Sequence, residues 1–406
     1  MRLLSHFACS ALVATVLFPL AAAQTAASFQ FVFTDRPGPW SVGLRVIDQY
    51  DASRPFTLRV DGATISSPHG RPLQTLVWYP AQRSHQTPMT VGDYAALIET
   101  ETSFDHPVDN GSPQKFVAAF TQGTGSIRMW AIRDAKVHRG RFPIVIYAPS
   151  VDAPSTENID LCEYLASHGY IVLATPSMGA SSRKMTVNLA GANAQSRDIS
   201  FLITSAEKLT GANSSAVAVI GYSWGGMGAL FASASDPRIH SLISFDGSFY
   251  YDPGTVSAAG VHPNRITVPL LFFSRAPETA NSPGRQRTNG DSSNSAPNVL
   301  SQWIHGDLLH LEMLAMSHIE FCSLFLRSQR FRTDGFHFDP VGYSPQQGAN
   351  SYNWTVRYTL AFLDAYLKHR PAAVAFLRRP STENGVPPHL IDSTFSAATD
   401  ATLAHH

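Results

Sequence analysis

Apolar, β-branched runs recur at residues 73–79, 142–147, 170–175, 216–220, 241–245 and 269–273. They are too continuous for the alternating face of a half-exposed sheet, so they predict strands buried on both sides. Between them apolar positions fall at helical spacing. Ile159, Cys162, Leu165 and Ala166 share one face, and Gly169 supplies a stop. This alternation predicts the α/β class, a mainly parallel sheet covered by helices on both faces, with ligand chemistry at the carboxyl ends of the strands. Residues 311–316 read as a last short strand. Leu360, Leu363 and Leu367 then predict a final amphipathic helix, with Lys368, His369 and Arg370 in its last turn and Pro371 closing it. No repeat period and no linker divides residues 24–406, which read as a single domain with loops or insertions near 81–114, 277–298 and 333–353. The second of these is rich in Asn, Ser, Gly, Pro and Arg without an apolar period and is expected to be a mobile surface loop.

Composition narrows the class. Of 406 residues 44% are hydrophobic and 15% charged, as in a globular protein with a full core. Lys plus Arg and Asp plus Glu balance at 30 each, so there is no net positive field for a nucleic-acid partner. The start of the chain has Arg2, an apolar stretch from Ala11 to Leu20, and Ala21, Ala22 and Ala23 before Gln24. That pattern predicts a signal peptide cleaved after Ala23 and a secreted or periplasmic protein. The apolar stretch is short for a membrane span and no later one is long enough, so no transmembrane segment is expected in the mature chain. Cys9 falls in the leader. Cys162 and Cys322 do not make a disulfide framework and read as two unrelated buried thiols. No histidine spacing suggests metal ligands, and no cofactor is implied.

One local pattern carries chemistry. Gly221-Tyr222-Ser223-Trp224-Gly225 follows the apolar run 216–220 and precedes a helical stretch. G-x-S-x-G alone is a weak signal. Between a buried strand and a helix it describes a nucleophile elbow, a strained corner that exposes a serine hydroxyl beside backbone donors. Glycine at both ends is expected because a side chain there would collide across the turn.

A serine hydroxyl is a poor nucleophile until a histidine takes its proton and an acid orients that histidine. On such a sheet the chain order is Ser, acid, His. Two acids stand at strand ends after Ser223. Asp246 follows 241–245, and Glu278 lies just beyond 270–273. Either could equally be a turn residue, and the residues alone leave the choice open. For the base, His318 lies just beyond the last predicted strand, whereas His305 and His310 read as surface residues flanking it; His337 is a further competitor. The aromatics Trp224, Phe272 and Phe273 are expected in the core.

The chain resembles the plasma-type platelet-activating-factor acetylhydrolases and their dienelactone-hydrolase-like bacterial relatives, α/β-hydrolases in fold. The resemblance runs through residues 38–43, Val77-Trp78-Tyr79-Pro80, residues 165–172, the elbow, Phe245-Asp246 and Ser317-His318, in that order. It implies an acid after the strand next to the elbow, which favours Asp246 over the rival Glu278. It also implies two oxyanion donors. The backbone N–H of Trp224 follows from the elbow itself. The second falls on Val151 by alignment through 165–169, where the family's His-Gly pair is replaced by Ala148-Pro149-Ser150-Val151-Asp152.

The expected activity is a serine carboxylic-ester hydrolase forming an acyl-enzyme, with Ser223 as nucleophile, His318 as base and Asp246 as acid. The resemblance adds short-acyl, acetyl-type esters, including those of lipids. Rival readings are a polyester or cutinase-like esterase, a serine peptidase on the same scaffold, and a non-catalytic binding protein that kept the fold.

Overall fold

The computed structural model describes residues 29–60, 63–104, 112–275, 297–328 and 342–399. The expected leader with its predicted cleavage after Ala23, Glu278, His337 and most of the expected 277–298 loop lie outside the described residues.

Fourteen strands are described. The first seven are β1 (Ser41–Ile47), β2 (Tyr50–Asp51), β3 (Thr57–Val60), β4 (Ala63–Ser66), β5 (Arg71–Pro72), β6 (Thr75–Ala81) and β7 (Ala131–Arg133). Then come β8 (Phe142–Ala148), β9 (Ile171–Ala174), β10 (Ala212–Tyr222), β11 (Ser241–Phe245), β12 (Leu270–Ser274), β13 (Leu308–Met313) and β14 (Ile391–Ser396). Ten of them form one sheet in the order β14-β13-β12-β11-β10-β8-β9-β6-β1-β7. From β13 through β9 all neighbours are parallel. β6 runs antiparallel to both β9 and β1, and β14 closes the opposite edge antiparallel to β13. The expected mainly parallel sheet is what forms.

Alternation along each buried strand divides the core into two layers. Tyr147, Ile220 and Phe245 point into one, with the Ile159–Ser167 and Pro345–Tyr366 helices. Ile146, Val219 and Leu242 point into the other, with the Leu189–Ala206 and Trp224–Ser235 helices. Trp224, Phe272 and Phe273 are core residues, and Cys162 and Cys322 are free, buried thiols.

Some elements differ from the expected ones. The last parallel strand is Leu308–Met313 and not 311–316. His310 is therefore inside the strand, where its Nε2 and the Ser274 hydroxyl on β12 lie 2.9 Å apart, instead of flanking it on the surface. Pro371 does not close the final helix. That helix starts at Pro345, inside the stretch expected as a loop, and ends at Tyr366, while Pro371 opens a further helix to Arg378. Proline fits a first helical turn, where its missing N–H would have no partner anyway. The stretch 81–114 carries a helix at Val91–Ala96 with a Thr90–Asp93 capping box. β1 and β14 went unpredicted because each has a partly exposed face and lacks a continuous apolar run. Among the described residues no helix is long and apolar enough to cross a membrane.

Candidate active site

β10 ends at Tyr222, the chain reverses at Ser223, and the next helix begins at Trp224. Ser223 has φ 54° and ψ −119°. A non-glycine residue in that region stores about 1–3 kcal/mol of strain and persists only where its surroundings hold it. Three backbone hydrogen bonds do so. Ser223 N–H donates to the Phe245 carbonyl at 3.0 Å, and the Ser223 carbonyl accepts from Gly226 at 3.0 Å and Ser248 at 2.9 Å. A Cβ on Gly221 would lie 2.4 Å from the Gly225 carbonyl oxygen, the collision across the turn expected from sequence. On Gly225 the clash is elsewhere. Its Cβ would meet the Ala148 and Pro149 carbonyl oxygens at 2.1 and 2.6 Å, so this glycine lets the elbow slide beneath the loop that follows β8.

Asp246 follows β11 directly, with φ 45° and its N–H donating 2.7 Å to the Phe273 carbonyl. His318 lies five residues beyond β13, at the start of a single 3-10 turn. Ser317 caps that turn by donating both its N–H and its hydroxyl to Glu320 Oε2, at 2.8 and 3.0 Å. The His318 carbonyl accepts from the Tyr222 hydroxyl at 2.7 Å, which ties the histidine loop to the residue before Ser223.

The three side chains meet. His318 Nε2 is 2.9 Å from Ser223 Oγ, and His318 Nδ1 is hydrogen-bonded to Asp246 Oδ2. An ionised carboxylate can only accept, so the imidazole proton sits on Nδ1 and Nε2 accepts from the serine hydroxyl. Asp246 is fully buried. Burial alone would raise its carboxyl, but the His318 hydrogen bond and charge, followed by Arg275 and Tyr251, outweigh it and hold the group below the usual range.

The loop after β8 is heavily tethered. Gln195 Nε2 donates 2.7 Å to the Pro149 carbonyl, and the Ser150 N–H and hydroxyl both donate to Glu157. Asp152, at φ 55°, accepts from Met185 N–H at 2.6 Å and from Lys184. Val151 is 41% exposed on this loop. The N–H groups of Val151 and Trp224 have no acceptor among the described residues. For Trp224 that follows from its place at the start of a helix. Burial pushes Glu157 up to about 7, against the opposing hydrogen bonds from Ser150 and Tyr147.

Sequence reasoning placed Ser223, Asp246 and His318, which the structure brings together. It passed over Tyr251 and Arg275, which also touch Asp246, and Glu157 and Gln195, which hold the 149–152 loop. Arg275 had a readable signal, since it sits just past the end of β12. Among the described residues no group of three or more His, Cys, Asp or Glu is arranged to hold a metal ion.

No family model and no curated protein matches the chain. Solved structures do. A ferulic acid esterase from Streptomyces cinnamoneus superposes with a TM-score of 0.58 over 89% of this chain and 98% of its own, at 18% sequence identity. The chain has the α/β-hydrolase fold. At that identity the likeness speaks for the fold and not for the substrate.

Proposed function

We propose that the protein is a serine carboxylic-ester hydrolase working through an acyl-enzyme, with short-acyl, acetyl-type esters, including lipid esters, as its substrate class. One observation carries the reading. Ser223, Asp246 and His318 form a continuous hydrogen-bonded chain beyond the carboxyl ends of the parallel strands β10, β11 and β13. The Ser223 oxygen attacks the ester carbonyl carbon as its proton passes to His318 Nε2, and the carbonyl oxygen becomes the oxyanion. The Trp224 N–H, with the Val151 N–H as second donor, stabilises that charge; a single such donor is worth about 3 kcal/mol. Collapse breaks the bond to the leaving oxygen, which takes the proton from His318. Water then repeats the sequence on the acyl-enzyme, releasing the acid and restoring Ser223. Asp246 holds the imidazole tautomer and offsets its positive charge. The choice of esters over peptides rests on the acetylhydrolase resemblance through residues 38–43, 165–172, Phe245-Asp246 and Ser317-His318.

The test is Ser223→Ala with p-nitrophenyl esters from acetyl upward. The variant should fold normally, lose turnover to below about a hundredth of wild type, and no longer react with a fluorophosphonate probe. The wild type should prefer acetyl. Well-folded wild type that neither labels nor turns over would instead be a binding protein on this fold. The leader pattern puts this activity in a secreted or periplasmic protein beginning at or near Gln24, which N-terminal sequencing of the exported protein would check.

A further inference from the structure

Asp246 is shared. His318 Nδ1 occupies Oδ2, but the Arg275 guanidinium reaches the same oxygen, with Nη1 at 3.6 Å. On the other side, Oδ1 accepts the Tyr251 hydroxyl at 2.5 Å and the Arg275 backbone N–H at 3.2 Å. The guanidinium also lies over the Tyr251 ring, 4.7 Å from its centroid, so the two groups fix each other as well as the carboxylate. Tyr251 remains a donor, because burial, and then the Asp246 charge, push its phenol far up. Among the described residues, Tyr250 and Tyr222 also feel the Asp246 charge. Among these groups Arg275 is the permanent cation.

We propose that Arg275 is a positioning residue for Asp246 that divides the carboxylate's charge between guanidinium and imidazole, and so keeps His318 available as a base at lower pH. This rests on the ester-hydrolase reading of Ser223, His318 and Asp246. An acid that served the imidazole alone would stabilise its protonated form as far as one carboxylate can. A fixed positive charge on the same oxygen offsets part of that stabilisation and repels a second positive charge on the ring. A charge at this range acts on a neighbour by about one to three pH units when fully buried. The Arg275 side chain is 22% exposed, and solvent screening reduces the effect.

The experiment compares wild type, Arg275→Gln, Arg275→Lys and Tyr251→Phe, each checked for folding by thermal unfolding. It reads kcat/KM for p-nitrophenyl acetate and the rate of fluorophosphonate labelling against pH. In Arg275→Gln the acid-side limb of both profiles should move up by about half to one pH unit. Arg275→Lys, which keeps the charge, should hold the limb near the wild-type position. Tyr251→Phe should leave the limb in place and lower the plateau, because it loosens the carboxylate without changing its charge. A lowered plateau with an unmoved limb in Arg275→Gln would make Arg275 merely structural and overturn the proposal, as would Gln and Lys variants shifting alike. Wild type that neither labels nor turns over would fail the hydrolase reading instead, so the two failures are separable.

Discussion

Asp246 is a charge taken out of water, which is tolerated only where partners replace the lost hydration. Here the imidazole, a phenol, a backbone N–H and a guanidinium do so. Two predictions follow at this scale. Asp246→Asn should fall by about 10⁴ in turnover at neutral pH, since an amide in that place no longer holds the tautomer that leaves Nε2 free to accept. Glu278→Gln should stay within about tenfold of wild type, because Asp246 already occupies His318 Nδ1. The variants are to be compared at matched stability, and the reverse ranking would move the acid to Glu278. Ser223 and His318 were legible because each stands just beyond a strand, a position that apolar runs reveal; Asp246 stood at a strand end as Glu278 did, and only the family resemblance favoured it. Tyr251 was not legible, and Arg275, although it stands just past β12, was passed over. They reach one carboxylate from two different loops, and no local pattern encodes that convergence.

The elbow joins strand, turn and helix, and its glycines divide the labour. Gly221 keeps the turn from colliding with itself, whereas Gly225 lets the Trp224–Ser235 helix approach the carbonyls after β8. Gly225→Ala would place a methyl within 2.1 Å of the Ala148 oxygen. A backbone carbonyl cannot swing away as a flexible side chain can, so the variant should lose about 1–3 kcal/mol of stability, read by denaturant unfolding. It should also lose most of its turnover, because the displaced loop carries Val151. A variant of wild-type stability and activity would mean that the elbow and the loop are less closely coupled than drawn. Legibility at this scale followed burial. The parallel strands β8 to β12 have continuous apolar runs and were readable to within a few residues, while β1 and β14, which have partly exposed faces, were not. His310 went with the misplaced start of β13. Its strand begins with the apolar pair Leu308-Leu309, which the reading from 311 left out.

At the scale of the molecule, three of the four buried glutamates among the described residues stand apart from the surface charge. Burial pushes Glu101, Glu157 and Glu163 each up to about 7 from an ordinary 4.5, against the hydrogen bonds they accept. Between those two values the folded chain binds more protons than the unfolded one, so their contribution falls as pH rises from about 4.5 toward 7 and is flat above. His168 and His310, lowered mainly by burial, act in the opposite direction as they titrate, so the wild-type curve mixes both signs. Glu163→Gln isolates one of them. Its Tm relative to wild type should rise between about pH 5 and pH 8, and a difference independent of pH would refute the ionisation cost assigned to Glu163. The sequence alone determined the α/β class, the mainly parallel sheet and the elbow, because apolar periodicity and glycine sterics act over a few residues. Only the tertiary structure decided which acid meets His318, that Arg275 and Tyr251 share that acid, and where β1, β14 and the helix after Pro371 lie. These depend on side chains far apart in the chain meeting in one low-dielectric site, and on partly exposed elements that become strands only when a neighbour supplies the hydrogen bonds.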